Sequence, residues 1–175
     1  INIAGLRHQL TLLKDMGCNA IRTTHNMPDP NLVRLCDEMG FMMMVEPFDE
    51  WDVAKCENGY HRWFNAESDI KGMTWAERDM LSMLHQWRNN PSVVMWSVGN
   101  EVPTQRTEGG YKVVHFLQDI CHREDPTRVC TSGINFTTAA MSNGFADALD
   151  IAGLNYHTHK TYFRMKDATH SNVVI

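Results

Sequence analysis

Short, unbroken apolar runs alternate along this sequence with segments of helical period, and that order constrains the fold more than any other feature. Residues 20–22, 41–45, 93–98, 129–131 and 150–154 read as strands, and the β-branched run from 172 reads as the start of a sixth. Between them lie helices. Leu6, Leu10, Leu13 and Met16 recur at helical spacing and stop at Gly17, and Asp29-Pro30 starts a second helix whose face is Leu32, Leu35, Cys36 and Met39 before Gly40 ends it. Thr74-x-x-Glu77 is a capping box opening a third helix that runs to about Trp87, and a fourth spans about 110–123 before Asp125-Pro126. Strands joined through helices make a parallel sheet with helices outside, and runs without polar alternation suit strands buried on both faces. Two architectures satisfy this order: an open doubly wound sheet, or part of a (β/α)8 barrel. No G-x-G-x-x-G and no G-x-x-x-x-G-K-[ST] follows any run, which weakens the open, nucleotide-binding option.

In parallel α/β folds ligands bind at the carboxyl ends of the strands, so the residues just past each run carry the functional information. They are polar every time. Arg22, Thr24, His25 and Asn26 follow the first run, Glu46, Asp49 and Glu50 the second, and Asn100 and Glu101 the third. Ser132 and Asn135 follow the fourth, and Asn155, Tyr156 and His157 the fifth. Loop polarity explains any one of these groups, but not five together. Carboxylates, amides, a histidine and aromatic rings without a cation cluster suit a neutral polyhydroxylated ligand such as a sugar. Within the set, a carboxylate at a strand end beside an amide, Asn100-Glu101, is placed for general acid work. The aromatic segment 46–72, with Trp51, Tyr60, Trp63 and Phe64, is long enough to belong to the site.

Composition narrows the partners. With 16 basic and 21 acidic residues, net charge −5 and no basic run, nucleic acid is not the expected partner. No stretch approaches 18 apolar residues and no basic segment precedes an apolar one at the start, so neither a membrane span nor a secretion signal is expected. The five cysteines are an odd set without a C-x-x-C pair, expected reduced and mostly buried. His157-x-His159 reads as ordinary loop histidine, and the methionines at 42–44 as strand core, so no metal site is expected.

The strings Asn19-Ala-Ile-Arg-Thr-Thr-His-Asn26, Glu46-Pro-Phe-Asp-Glu-Trp51, Arg88-Asn-Asn-Pro-Ser-Val-Val-Met-Trp-Ser-Val-Gly-Asn-Glu101, Asp125-Pro-Thr-Arg128 and Gly153-Leu-Asn-Tyr156 resemble glycoside hydrolase family 2, in its bacterial β-galactosidase and β-glucuronidase group. The resemblance runs in order along nearly the whole chain. It implies a retaining β-glycosidase on a (β/α)8 TIM barrel, with residues 1–175 forming an incomplete catalytic domain that holds the second to sixth barrel strands and the start of the seventh. It assigns Glu101 as acid/base, Asn100 to the sugar 2-hydroxyl, His25 to the glycone pocket and Tyr156 to a place beside the nucleophile. Arg22, Glu46 and Asp49 become pocket or supporting residues, and Trp51 a stacking platform. The nucleophilic Glu would end the seventh strand, past Ile175, so the fragment alone is expected to be inactive.

A β-linked galactoside is the implied substrate, to which Gly99 before Asn100 leans, with β-glucuronidase or a non-hydrolytic sugar-binding protein as alternatives. Val45, Pro47 and Met27 depart from the family's usual residues and bear on sugar preference. No cofactor is implied, since the Mg2+ or Na+ ligands of some relatives find no match here. Homo-oligomers are the family habit, and a barrel lacking strands would expose edges that favour self-association.

Overall fold

A computed structural model describes residues 2–156 and, as backbone, 172–174. The chain runs α1 (Ile3–Asp15), β1 (Ala20–Arg22), α2 (Pro30–Met39), β2 (Met42–Val45), α3 (His61–Phe64), α4 (Trp75–Trp87), β3 (Val93–Asn100), a 3-10 turn (Pro103–Arg106), α5 (Gly110–Glu124), β4 (Val129–Ile134), α6 (Thr137–Ser142), β5 (Ile151–Leu154) and β6 (Asn172–Val174). All neighbouring strands pair in parallel, in the order β1-β2-β3-β4-β5-β6. That order decides between the two architectures. A doubly wound sheet reverses strand order at a switch point, whereas here each strand adds to the same edge and the sheet curls into an arc of a barrel.

The expected boundaries of α2 and α4 hold because they rest on local chemistry, whereas β4 extends three residues past its expected end, to Ile134. The Asp29 side chain accepts from Asn31 N at 2.8 Å with Pro30 in the first turn, and Gly40 ends α2 in the left-handed region at φ 73°. Thr74 Oγ1 accepts from Glu77 N at 3.3 Å at the start of α4. Val33, Leu35 and Cys36 on α2 and Met80, Met83, Leu84 and Trp87 on α4 join Met43, Val45, Trp96 and Cys130 of the sheet in the buried core. All five cysteines are free thiols, and burial pushes the Cys36 thiol up to about 11. Among the described residues no helix is long and apolar enough to cross a membrane.

Two of the family-like strings work at the amino ends of the strands. Asp125, only 4% exposed, accepts from Trp96 Nε1 at 3.0 Å and Arg128 Nη1 at 2.7 Å. Burial would raise its carboxyl pKa, but the hydrogen bonds from Thr127, Arg128 and Trp96 outweigh it and hold the group down. Arg128 also donates to the carbonyls of Arg88, Asn90 and Val93, so the guanidinium ties the entry of β3 to that of β4. These polar groups are a clamp under the sheet, at the end away from the ligand side.

Trp51 belongs to the core. Fully buried, its indole packs by Phe64 and Phe145 and its Nε1 donates to Val98 O at 2.8 Å. The expected stacking platform is therefore corrected: the indole lies against the backbone of β3 and has no face left for a sugar. Gly99 is what admits it, because a Cβ there would stand 2.6 Å from Trp51 Nε1.

Candidate active site

The polar residues at the carboxyl ends of β1 to β5 converge on one another. Glu46, the residue after β2, is fully buried and accepts from Arg22 Nη2 at 2.8 Å, Arg22 Nε at 3.2 Å and the Ser97 hydroxyl, all on one oxygen. Its other oxygen is 2.6 Å from His25 Nδ1. Buried carboxylates persist only where paired, and here an arginine that reaches in from the last position of β1 supplies the charge.

Arg22 is also the hub to the next strands. Its Nη2 donates to Asn100 Oδ1 at 2.8 Å and its Nη1 to Asn155 Oδ1 at 3.2 Å. Asn100, 3% exposed at the end of β3, gives its own Nδ2 to Asp49 Oδ1 at 2.9 Å. Lys55 completes this corner, with Nζ 2.6 Å from Asp49 Oδ1 and 3.1 Å from Asn100 O. Gly133 on β4 gives the network room: a Cβ there would be 2.9 Å from both Arg22 Nη2 and Asn155 Nδ2. A cavity of about 180 Å³ lies against Arg22 and Asn155, with Ser97, Thr131, Gly133 and Leu154 among its walls.

Glu101 sits one residue beyond β3 with left-handed backbone, φ 46°. Among the described residues only Tyr156 (φ 69°) shares this feature without being glycine, and both belong to this cluster. Backbone in a sparsely populated region at two adjoining positions marks a place where side-chain direction is held by its surroundings. Each Glu101 oxygen meets one amide: Oε1 accepts from Asn155 Nδ2 at 2.8 Å and Oε2 from Asn135 Nδ2 at 3.2 Å. The Glu101 carboxylate in turn raises the pKa of the exposed Tyr156 phenol, by hydrogen bonding first and charge second.

The sequence-predicted residues Arg22, His25, Glu46, Asp49, Asn100, Glu101 and Tyr156 thus come together, Trp51 does not, and His157 and His159 lie outside the described residues. Lys55, Ser97 and Gln105 were missed. Lys55 comes from the aperiodic segment, where spacing carries no signal, and Ser97 is an inward position of a strand, masked as core by its neighbours. Gly133 lies inside β4, but past residue 131, where the sequence reading ended that strand, so its meaning as a glycine within a strand came only with the structure. Away from the site, His122, Cys130 and Asp150 converge near the start of β4 and β5 with ligand-type atoms within 4.8 Å of one another. One Asp150 oxygen there already accepts from His122 Nε2 at 2.7 Å and Cys130 N at 2.8 Å.

Glu50, beside the site, holds its loop. Its carboxylate accepts from the backbone N–H groups of Lys55, Cys56 and His61. Burial would raise its pKa, yet these donors and the His61 ring bring it down to about 2. A carboxyl lowered from its usual 4.5 contributes stability above pH 4.5 that is lost as pH falls toward 2. Glu50→Gln should therefore cost about 3 kcal/mol at pH 7 and flatten the pH dependence of urea unfolding between about pH 5 and 2. Equal stability of the two proteins at pH 7 would refute the brace.

A family model described as glycosyl hydrolases family 2, TIM barrel domain, matches residues 1–171. A β-galactosidase of Bacteroides ovatus, BoGH2A, is 34% identical over 90% of this chain and 21% of its own length. A putative β-glucuronidase of Formosa agariphila is 36% identical over 86% of this chain and 12% of its own. A crystal structure of a glycosyl hydrolase family 2 member from Bacteroides cellulosilyticus superposes with a TM-score of 0.80 at 29% identity, over 98% of this chain and 21% of that one. The chain thus spans about a fifth of the Bacteroides relatives.

Proposed function

The chain belongs to glycosyl hydrolase family 2, and from that premise we propose that its protein is a retaining β-glycosidase in which Glu101 is the acid/base and residues 1–175 are part of the barrel domain. One observation carries this reading: at a strand's carboxyl end, Glu101 is held by an amide on each oxygen, next to an Asn100 fixed by Arg22 and Asp49. In the first step Glu101 protonates the departing glycosidic oxygen while a second carboxylate attacks the anomeric carbon, and in the second Glu101 takes a proton from water. That nucleophile is assigned by family resemblance to the end of the strand that begins at Asn172. Asn100 is assigned to the sugar 2-hydroxyl, His25 to the glycone and Tyr156 to the nucleophile's side. Arg22, Glu46 and Asp49 hold these groups in place.

The proposed substrate is a β-galactoside, supported by the Bacteroides ovatus relative's name and its 90% coverage of this chain. β-Glucuronide is the second reading, favoured by the Formosa agariphila relative. Gly99 does not separate them, since its small size serves Trp51. The full protein should release 4-nitrophenol from the β-galactoside faster than from the β-glucuronide, with the β-anomer as first product by NMR. Preference for the glucuronide would move the substrate to the second reading, and an α-anomer or no hydrolysis of either would overturn the mechanism.

A further inference from the structure

Gln105 lies fully buried in the 3-10 turn after β3, and its amide is engaged at both ends. Its Oε1 accepts from the backbone N–H groups of Asn135 at 3.1 Å and Phe136 at 2.8 Å. Its Nε2 donates to Val102 O and to Asn135 Oδ1, both at 2.8 Å. A buried amide with donors and acceptors so placed has one orientation, because flipping it would set like against like at every contact. That orientation is passed on. With its oxygen held by Gln105, the Asn135 amide must present Nδ2 the other way, and there it donates to Glu101 Oε2.

We infer that Gln105, acting through Asn135, is a positioning residue that aims the Glu101 carboxyl for proton transfer to the leaving group. The inference rests on the assignment of Glu101 as acid/base. The general acid acts on the departing oxygen, so a misaimed carboxyl slows substrates that need protonation and spares those that do not. A shift of about 1 Å at a reacting group can cost about 100-fold. Loss of the Asn155 contact is not required, so the effect falls short of deleting Glu101.

The test uses the full protein and aryl β-glycosides of one sugar with leaving groups graded from phenol to 2,4-dinitrophenol. Gln105→Glu keeps the size and the acceptor for two backbone N–H groups but replaces the donor facing Asn135 Oδ1, so the Asn135 amide should turn and withdraw its N–H from Glu101. Expected is a fall in kcat/KM of about tenfold or more on the phenyl glycoside and less than about twofold on the dinitrophenyl one. An equal fall on both, or none on either, would overturn the inference. If Gln105→Glu lacks a cooperative melt, Asn135→Ala carries the same expectation and the same overturning result. Glu101→Ala separates the two levels. A steep leaving-group dependence there with flat Gln105 and Asn135 variants removes only the positioning role, whereas a flat response in Glu101→Ala removes the acid/base assignment and the inference with it.

Discussion

Glu101→Ala in the full protein is expected to lower kcat/KM about 10²–10⁴-fold on a phenyl glycoside, the range that a positioned general acid supplies. The loss should depend on the leaving group, because 2,4-dinitrophenolate departs without a proton and the first step then needs no acid. The second step still lacks its base. Turnover of the dinitrophenyl glycoside should therefore stall after a burst, and azide, a nucleophile that needs no deprotonation, should restore it with a glycosyl azide of retained configuration. A uniform loss on all leaving groups, without rescue, would place Glu101 outside the proton transfer. The geometry makes the effect separable from folding, since Glu101 is partly exposed and its side-chain partners are the Asn135 and Asn155 amides and the Tyr156 phenol rather than charges.

Glu46→Ala should have the largest effect on stability. Removing one partner of a buried ion pair leaves the other charge uncompensated, at a cost of about 3–5 kcal/mol. Here the abandoned group is the Arg22 guanidinium, whose side chain is 28% exposed, together with His25 and the Ser97 hydroxyl. Activity should fall as well, because Arg22 is the donor that fixes Asn100 Oδ1 and Asn155 Oδ1. Urea unfolding of Glu46→Ala, Arg22→Ala and the double variant would measure the coupling. Single-variant costs that simply add would show that the pair is not a unit and would contradict a coupled network around Arg22.

Strand and helix positions were legible because they depend on neighbours in sequence. Apolar runs, the Asp29 and Thr74 caps and the Gly40 stop act within a few residues, and each expected strand begins within a residue of the observed one, although β4 runs on to Ile134, three residues past its expected end. The single fold choice that stayed open, barrel or doubly wound sheet, turned on strand order, which is a property of pairing between distant segments. The same division runs through the site. His25, Glu46, Asn100 and Glu101 could be named from their place after strands. Trp51 could not be placed, because whether an aromatic ring in an aperiodic loop faces a ligand or the core is settled by what it packs on, and here that is the backbone at Gly99. Lys55 and Gln105 were invisible for the complementary reason: what ties them to the site is a contact to a residue 45 positions away for Lys55 and 30 positions away for Gln105.

By itself the sequence determined the alternating elements, the parallel sheet and the row of polar residues at its carboxyl end, since local periodicity, capping and strand-end polarity are all short-range. Tertiary structure decided which of those residues touch. The curl of the sheet brings the ends of β1, β2, β3 and β5 within reach of one guanidinium, and the closed hydrogen-bond geometry around Arg22, Asn100 and Glu101 exists only once those four strands are in register.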